Sequence, residues 1–153
     1  MPMAWRIVRP CHVASAFSGE GGRLFGGRWN SVGTPVVYAA ESKALAALEI
    51  LAHMGDERLM DEYLCIPVRF NARLLRNLGF LSLPGDWRET QPPCSTQCLG
   101  DAWVSAALSA VLAIPSVLVP GESNYLINPK HPAFGKLKTG APEPFEFDPR
   151  LLK

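Results

Sequence analysis

The chain has 153 residues, enough for one domain that buries roughly 70% of its unfolded surface without a disulfide or metal staple. Hydrophobic residues make up 48% and charged ones 19%, which excludes an intrinsically disordered chain. Fifteen basic residues against fourteen acidic ones leave a net +1, which excludes a stand-alone nucleic-acid binder built on a basic face.

Thirteen glycines and fourteen prolines predict many short elements joined by shaped loops. The first expected strand covers 5–9 and stops at Pro10. Residues 18–30 carry five glycines and read as a loop. A second strand is expected over 35–40, where Val36, Val37 and Tyr38 supply β-formers. Ser42 then caps a helix over 43–54, with Leu45, Leu48 and Ala52 on its apolar face and Gly55 as the stop. Residues 63–70 read as a third strand, followed by a mixed stretch that ends at Pro92-Pro93. Ser95 or Thr96 is expected to cap a second helix running to about Leu108. Buried strands are expected over 110–114 and 116–119, split by Pro115, then over 124–128, with an edge strand over 145–147. Strands and helices interleave irregularly, so the expected fold is α+β around a mixed, mostly antiparallel sheet with flanking helices. The whole chain, 1–153, reads as one domain.

The N-terminus has no apolar run of signal-peptide length, and no stretch reaches the ~20 residues of a membrane span. A cytoplasmic protein that binds neither membrane nor nucleic acid is expected. Cys11, Cys65, Cys94 and Cys98 are expected to be reduced and to fill space. Cys94 and Cys98 lack the tight, doubled spacing of a zinc site, so no metal is assigned.

Charge is distributed unevenly. Residues 1–40 hold Arg6, Arg9, Arg23 and Arg28 against Glu20 alone, and residues 41–62 hold Lys43 and Arg58 against six acids. The basic end is also the glycine-rich end, a combination of exposed N–H groups and forked donors that suits phosphate oxygens. Glu49 lies mid-helix among apolar residues, either as a solvated edge or as an acid aimed into a cleft. Arg6 interrupts a short apolar strand, where a charge is costly unless something pairs with it. Tyr38 precedes the Glu49 helix, and Arg28-Trp29-Asn30 follows the glycines directly, joining an anion donor, an aromatic platform and an amide.

The motif Gly-Gly-Arg-Trp-Asn-x-x-Gly-x-Pro-Val-Val-Tyr-x-Ala-x-Ser over 26–42, then Leu-Ala-Ala-Leu-Glu over 45–49, resembles the RES domain. So does Ile-Pro-Ser-Val-Leu-Val-Pro-x-x-x-Asn-Tyr-Leu-Ile-Asn-Pro over 114–129, and the resemblance runs from about Trp5 to Phe134. The family takes its name from an Arg, a Glu and a Ser. It resembles ADP-ribosyltransferases in fold and supplies the toxins of bacterial toxin–antitoxin pairs, each encoded with an Xre-type helix-turn-helix antitoxin. The resemblance implies that the chain consumes NAD+, by glycohydrolysis, phosphorolysis or ADP-ribosyl transfer, and that NAD+ is substrate with no separate cofactor.

On that footing Glu49 stabilises the positive charge that builds on the ribose as the nicotinamide bond breaks. Arg6 and Arg28 hold the pyrophosphate, with Arg9 a competitor for the first-strand position. Tyr38 or Trp29 offers a stacking surface to nicotinamide. Ser116 matches the family serine, whose hydroxyl would orient the nicotinamide ribose or Glu49, with Ser123 as its competitor, and Asn124 either hydrogen-bonds substrate or shapes a turn. Mono-ADP-ribosyl transfer to a protein, and nucleotide binding without turnover, are the competing functions.

Overall fold

In the computed structural model, residues 1–53, 61–79 and 82–151 are described. In chain order the main elements are β1 (Met3–Val8), α1 (Glu20–Phe25), β2 (Val37–Ala40), α2 (Lys43–His53) and β3 (Tyr63–Arg69). They are followed by β4 (Leu75–Asn77), α3 (Cys94–Ala106), β5 (Val111–Pro115), β6 (Ser123–Ile127), β7 (Lys138–Thr139) and β8 (Glu143–Phe145). The strands form one sheet in the order β4-β5-β6-β2-β1-β3-β7, with β8 also paired to β3. Only β4 with β5 is a parallel pair among the described ladders. The α+β expectation with a mixed, mostly antiparallel sheet is met.

Register decides which side chains share a face, because residues directly opposite one another point the same way. Trp5 faces Ala40, Ala40 faces Asn124, and Asn124 faces Ile114. Both long helices cover that face. Leu45 and Ala46 of α2 pack with Ile7, Ala40 and Cys65, while Trp103 of α3 packs with Leu112, Ile114 and Leu126. The other face carries Ala4, Val37, Ala39, Val68, Val111 and Ile127, closed over by Phe17, Phe134 and Leu137.

The ladder between β1 and β2 is a single pair, Trp5 with Ala40. By contrast β1 keeps register with β3 from Met3 to Val8, and β2 with β6 from Val37 to Ala40. The sheet therefore opens into a fork where β1 and β2 meet.

Several elements depart from expectation, each for a local reason. The glycine-rich segment holds α1, bracketed by Gly19 and Gly26 with φ of 78° and 68°, conformations that an L side chain rarely adopts. An Arg23–Glu20 ion pair spans its first turn. Residues 116–119 form a turn, not a strand, because the Ser116 hydroxyl accepts the Leu118 and Val119 N–H groups at 3.1 and 3.0 Å. Pro93 occupies the N-cap of α3, so Ser95 and Thr96 lie inside the helix and bond elsewhere. The last strand ends at Phe145, and Phe147 is buried in the α2 cluster. Ser42 does cap α2, its Oγ accepting the Leu45 N–H at 3.0 Å; Met54 and Gly55, the expected end and stop of this helix, lie outside the described residues. All four cysteines are free thiols, but space-filling describes Cys65 alone, since Cys11, Cys94 and Cys98 are exposed. Among the described residues no helix is long and apolar enough to cross a membrane.

Candidate functional site

The roll of α2 determines what Glu49 can do. Leu48 and Ala52, expected on the buried stripe, are exposed; Leu45 and Ala46 are buried, with Ile50 against the same cluster. One turn on from Leu45 and Ala46, that orientation brings Glu49 to the border of the sheet-facing side. Its side chain is 28% exposed. Oε1 accepts a hydrogen bond from Asn124 Nδ2 at 2.8 Å, tying α2 to the centre of the sheet. His53 Nε2 stands 3.8 Å from Oε2, beyond hydrogen-bond reach, and its side chain is largely in water. The carboxylate is thus fixed through one oxygen.

Tyr38 belongs to the same face of the sheet as Asn124, two residues back along β2 from Ala40. Its hydroxyl donates to Asn30 Oδ1 at 2.5 Å and accepts the Trp29 N–H at 3.1 Å. Burial holds the phenol well above its ordinary range, only partly offset by the Trp29 N–H. Asn30, fully buried, also donates from Nδ2 to the Gly22 and Thr34 carbonyls at 2.8 and 3.0 Å. The glycine loop is therefore built around an amide and a phenol.

From the other side α3 reads the main chain of the same loop. Thr96 Oγ1 donates to the Arg28 carbonyl at 2.5 Å, and Gln97 Nε2 to the Gly27 carbonyl at 3.0 Å. Asp101 accepts the Ser31 N–H at 3.0 Å and the Ser31 hydroxyl. Gly100 lies so close to the loop that an added Cβ would overlap the Trp29 carbonyl. Trp29 itself is 2% exposed, its ring among Val36, Trp103, Leu112 and Leu126. That ring supports the core and offers no open stacking surface.

The two proposed arginines behave differently. Arg28 donates to the Trp87 and Glu89 carbonyls at 3.1 and 2.6 Å, strapping the 87–90 loop against the glycine loop. Arg6 leaves β1 on the side opposite Trp5 and reaches into the fork. There Nε donates to the Ala16 carbonyl at 2.7 Å and Nη1 to the Tyr38 carbonyl at 2.9 Å. Nη2 has no protein partner among the described residues and is not sealed from solvent. Among the described residues no carboxylate pairs with Arg6 there, and burial pushes its pKa down to about 10. Arg9, by contrast, makes an exposed ion pair with Asp61 at 3.4 Å. Ser116, 2% exposed, spends its hydroxyl on the turn, while the Ser123 N–H is taken by Glu41 Oε1 at 2.6 Å.

The structure thus gathers Glu49, Asn124 and Tyr38 on one face, with Arg28 joined to Tyr38 through the glycine loop. Arg6 approaches β2 from the fork. A model of the RES domain matches residues 3–148, which extends past the motif-bearing stretch to the buried Phe147. The chain belongs to the RES domain family. A "Toxin Res" of Photorhabdus laumondii is 37% identical over 150 residues, covering 97% of this chain and 96% of the relative. The "Prs ADP-ribosylating toxin" of a Sphingobium species is 34% identical over 155 residues, covering 97% and 96%. Among solved structures, the crystal structure of the M. tuberculosis MbcT–MbcA toxin–antitoxin complex contains a chain that matches with a TM-score of 0.74 and 18% identity. It covers 94% of this chain and 84% of that one, and shares the fold.

Within this RES domain, sequence reading took Thr96 for a helix cap and passed over Gln97 and Asp101. The available signal was a polar run, Ser95-Thr-Gln97, on a helix otherwise expected to bury apolar residues. A concavity of about 430 Å³ lies on the opposite face, lined by Val13, Phe17, Val68, Phe134 and Leu137, and includes none of the proposed site residues.

Proposed function

We propose that this RES domain is the toxin of a bacterial toxin–antitoxin pair and that it cleaves the nicotinamide–ribose bond of NAD+, as a glycohydrolase or phosphorylase. The observation that carries the reading is a carboxylate, Glu49, half-sheltered on the sheet face and held by a neutral donor, Asn124. The names of the two relatives, both of them toxins by name, support the toxin part of this reading.

Cleavage develops an oxocarbenium ion at the ribose carbon, and nicotinamide departs as a neutral group that needs no general acid. A fixed carboxylate about 4 Å from that charge is worth about 4 kcal/mol at an effective dielectric constant near 20. That corresponds to about a thousandfold in rate. Because Asn124 holds Oε1, this stabilisation requires no reorganisation at the moment of bond breaking. Arg6, a poorly solvated cation without a carboxylate partner among the described residues, supplies a site for the pyrophosphate at the fork. Arg28 contributes positive potential from the glycine loop, and Tyr38 an aromatic edge beside it. Ser116 orders the turn after β5 rather than touching the reacting atoms. The reaction as written uses no metal and no resident cofactor.

A second reading, transfer of ADP-ribose to a protein side chain, is favoured by the printed name of the Sphingobium relative. Water, phosphate and a side chain all attack the same carbon, so product analysis separates them. Mass spectrometry of NAD+ incubated with the pure chain should give nicotinamide with ADP-ribose, or with a phosphorylated ribose product when phosphate is supplied. Intact NAD+ in growth-arrested cells would remove the glycohydrolase and phosphorylase forms and leave protein transfer. The proposed partner is an Xre-type antitoxin in the cytoplasm, supplying the DNA-binding surface that a net charge of +1 does not provide.

A further inference from the structure

Asn124 occupies the middle of the sheet, in register with Ala40 on one side and Ile114 on the other. Asparagine is poorly suited to such a position, where β-branched and aromatic side chains pack better. Its two polar ends are treated very differently. A carboxylate oxygen only accepts, so the end of the amide that meets Glu49 must be Nδ2. Oδ1 is then buried with no donor among the described residues. A residue kept only for packing or for the sheet would not leave an acceptor stranded, since burial without a partner is destabilising.

The gain must lie at Glu49. Among the described residues no lysine or arginine pairs with this carboxylate, and His53 is too distant and too exposed to fix it. A cationic partner would neutralise the charge that the proposed reaction uses. A neutral amide sets the direction of the carboxylate and leaves its charge intact. It also occupies one oxygen only.

We propose that Asn124 is the positioning residue for Glu49: Nδ2 fixes Oε1 and thereby makes Oε2 the oxygen presented to the ribose. The role rests on the NAD+-cleaving reading above. It differs from a substrate contact, because Asn124 acts through Glu49 and its free acceptor is turned away into the protein. The stranded Oδ1 follows from a rigid strand and a fixed amide orientation that together serve the carboxylate.

Three measurements on the full chain test this. In ¹⁵N–¹H spectra the Asn124 side-chain amide should be displaced and slow to exchange, and should move to an unbonded position in Glu49→Ala. An amide unaffected by Glu49→Ala would overturn the proposal without reference to NAD+. In nicotinamide release, Asn124→Ala should lower kcat about 10- to 100-fold with KM within about twofold, as expected for a misplaced reacting group. Its thermal midpoint should not fall, because the stranded acceptor goes with the side chain. Asn124→Asp, equal in size but unable to donate, should lose more than alanine, and Glu49→Ala combined with Asn124→Ala should be no slower than Glu49→Ala alone. A raised KM with unchanged kcat, or full activity in Asn124→Asp, would overturn it. Absence of nicotinamide release by the unaltered chain would instead overturn the NAD+ reading, and the spectra would still decide whether Asn124 holds Glu49.

Discussion

Residues 27–31 are gripped at every step: Gln97 holds Gly27, Thr96 holds Arg28, Tyr38 holds Trp29 and Asn30, and Asp101 holds Ser31. Elsewhere on the same sheet, among the described residues, Glu49 has one donor, Asn124 has an acceptor without a partner, and Arg6, on the other side, has no carboxylate. The first region uses charges and amides to fix backbone. The second leaves them partly unsatisfied, which is where proteins depart from their own rules for the sake of function. The difference separates scaffold from proposed site more clearly than burial does, since Trp29 and Ser116 are both deeply buried, one packed in the core and the other bonded to its own turn.

Each region can be perturbed separately. Glu49→Gln keeps the size and the Asn124 contact region but removes the charge; it should leave a folded chain and lower nicotinamide release by about a thousandfold, or about 4 kcal/mol. Wild-type turnover would erase the distinction on the site side. Gly100→Ala strikes the scaffold, because the new Cβ meets backbone that cannot swing away. A loss at or above the ~3 kcal/mol of ordinary overpacking is expected in urea unfolding.

Next in size is a gain. ADP-ribose at a hundredfold excess over its Kd should stabilise the chain by about 2.7 kcal/mol. Arg6→Gln, which retains a donor but no charge, should lose most of that shift; an undiminished shift would remove Arg6 from the site. Tyr38→Phe strands the Trp29 N–H and Asn30 Oδ1, for an expected loss of about 2 kcal/mol. Tyr38 also sets a pH dependence. Its folded pKa is raised, so the folded state holds the proton more tightly and stability is fully present below 10.0, then declines as pH climbs above it. In Tyr38→Phe that alkaline decline should flatten. The smallest effect, about 1 kcal/mol, belongs to Ser116→Ala, which frees two N–H groups of the turn; thermal unfolding would detect it.

Much of this arrangement is written in local pattern. Ser42 announces α2 because its hydroxyl needs only the next turn's N–H, and the strands at 63–69 and 123–127 follow from β-forming runs between breakers. Glu49 stood out as the one acid in an apolar helix. The side it would face was not legible, since alanines and leucines give α2 more than one possible apolar stripe and the sheet chose Leu45, Ala46 and Ile50. Val117 and Val119 suggested a strand, but a serine hydroxyl captured their neighbourhood as a turn. The loop strapped by Arg28 lies some sixty positions away, at Trp87 and Glu89, beyond the reach of any local signal.

The single-pair ladder between β1 and β2 gives Arg6 a second consequence. Past Trp5 and Ala40 the backbone rungs stop, and the guanidinium supplies the next crosspiece, from β1 to the Tyr38 carbonyl. Continuity of the sheet at its midline is thus entrusted to a side chain. Replacing Arg6 therefore loosens a seam as well as discharging the proposed pyrophosphate site, and the two effects part company in amide exchange of Tyr38 and Ala39, which follows the seam whether or not a nucleotide is present.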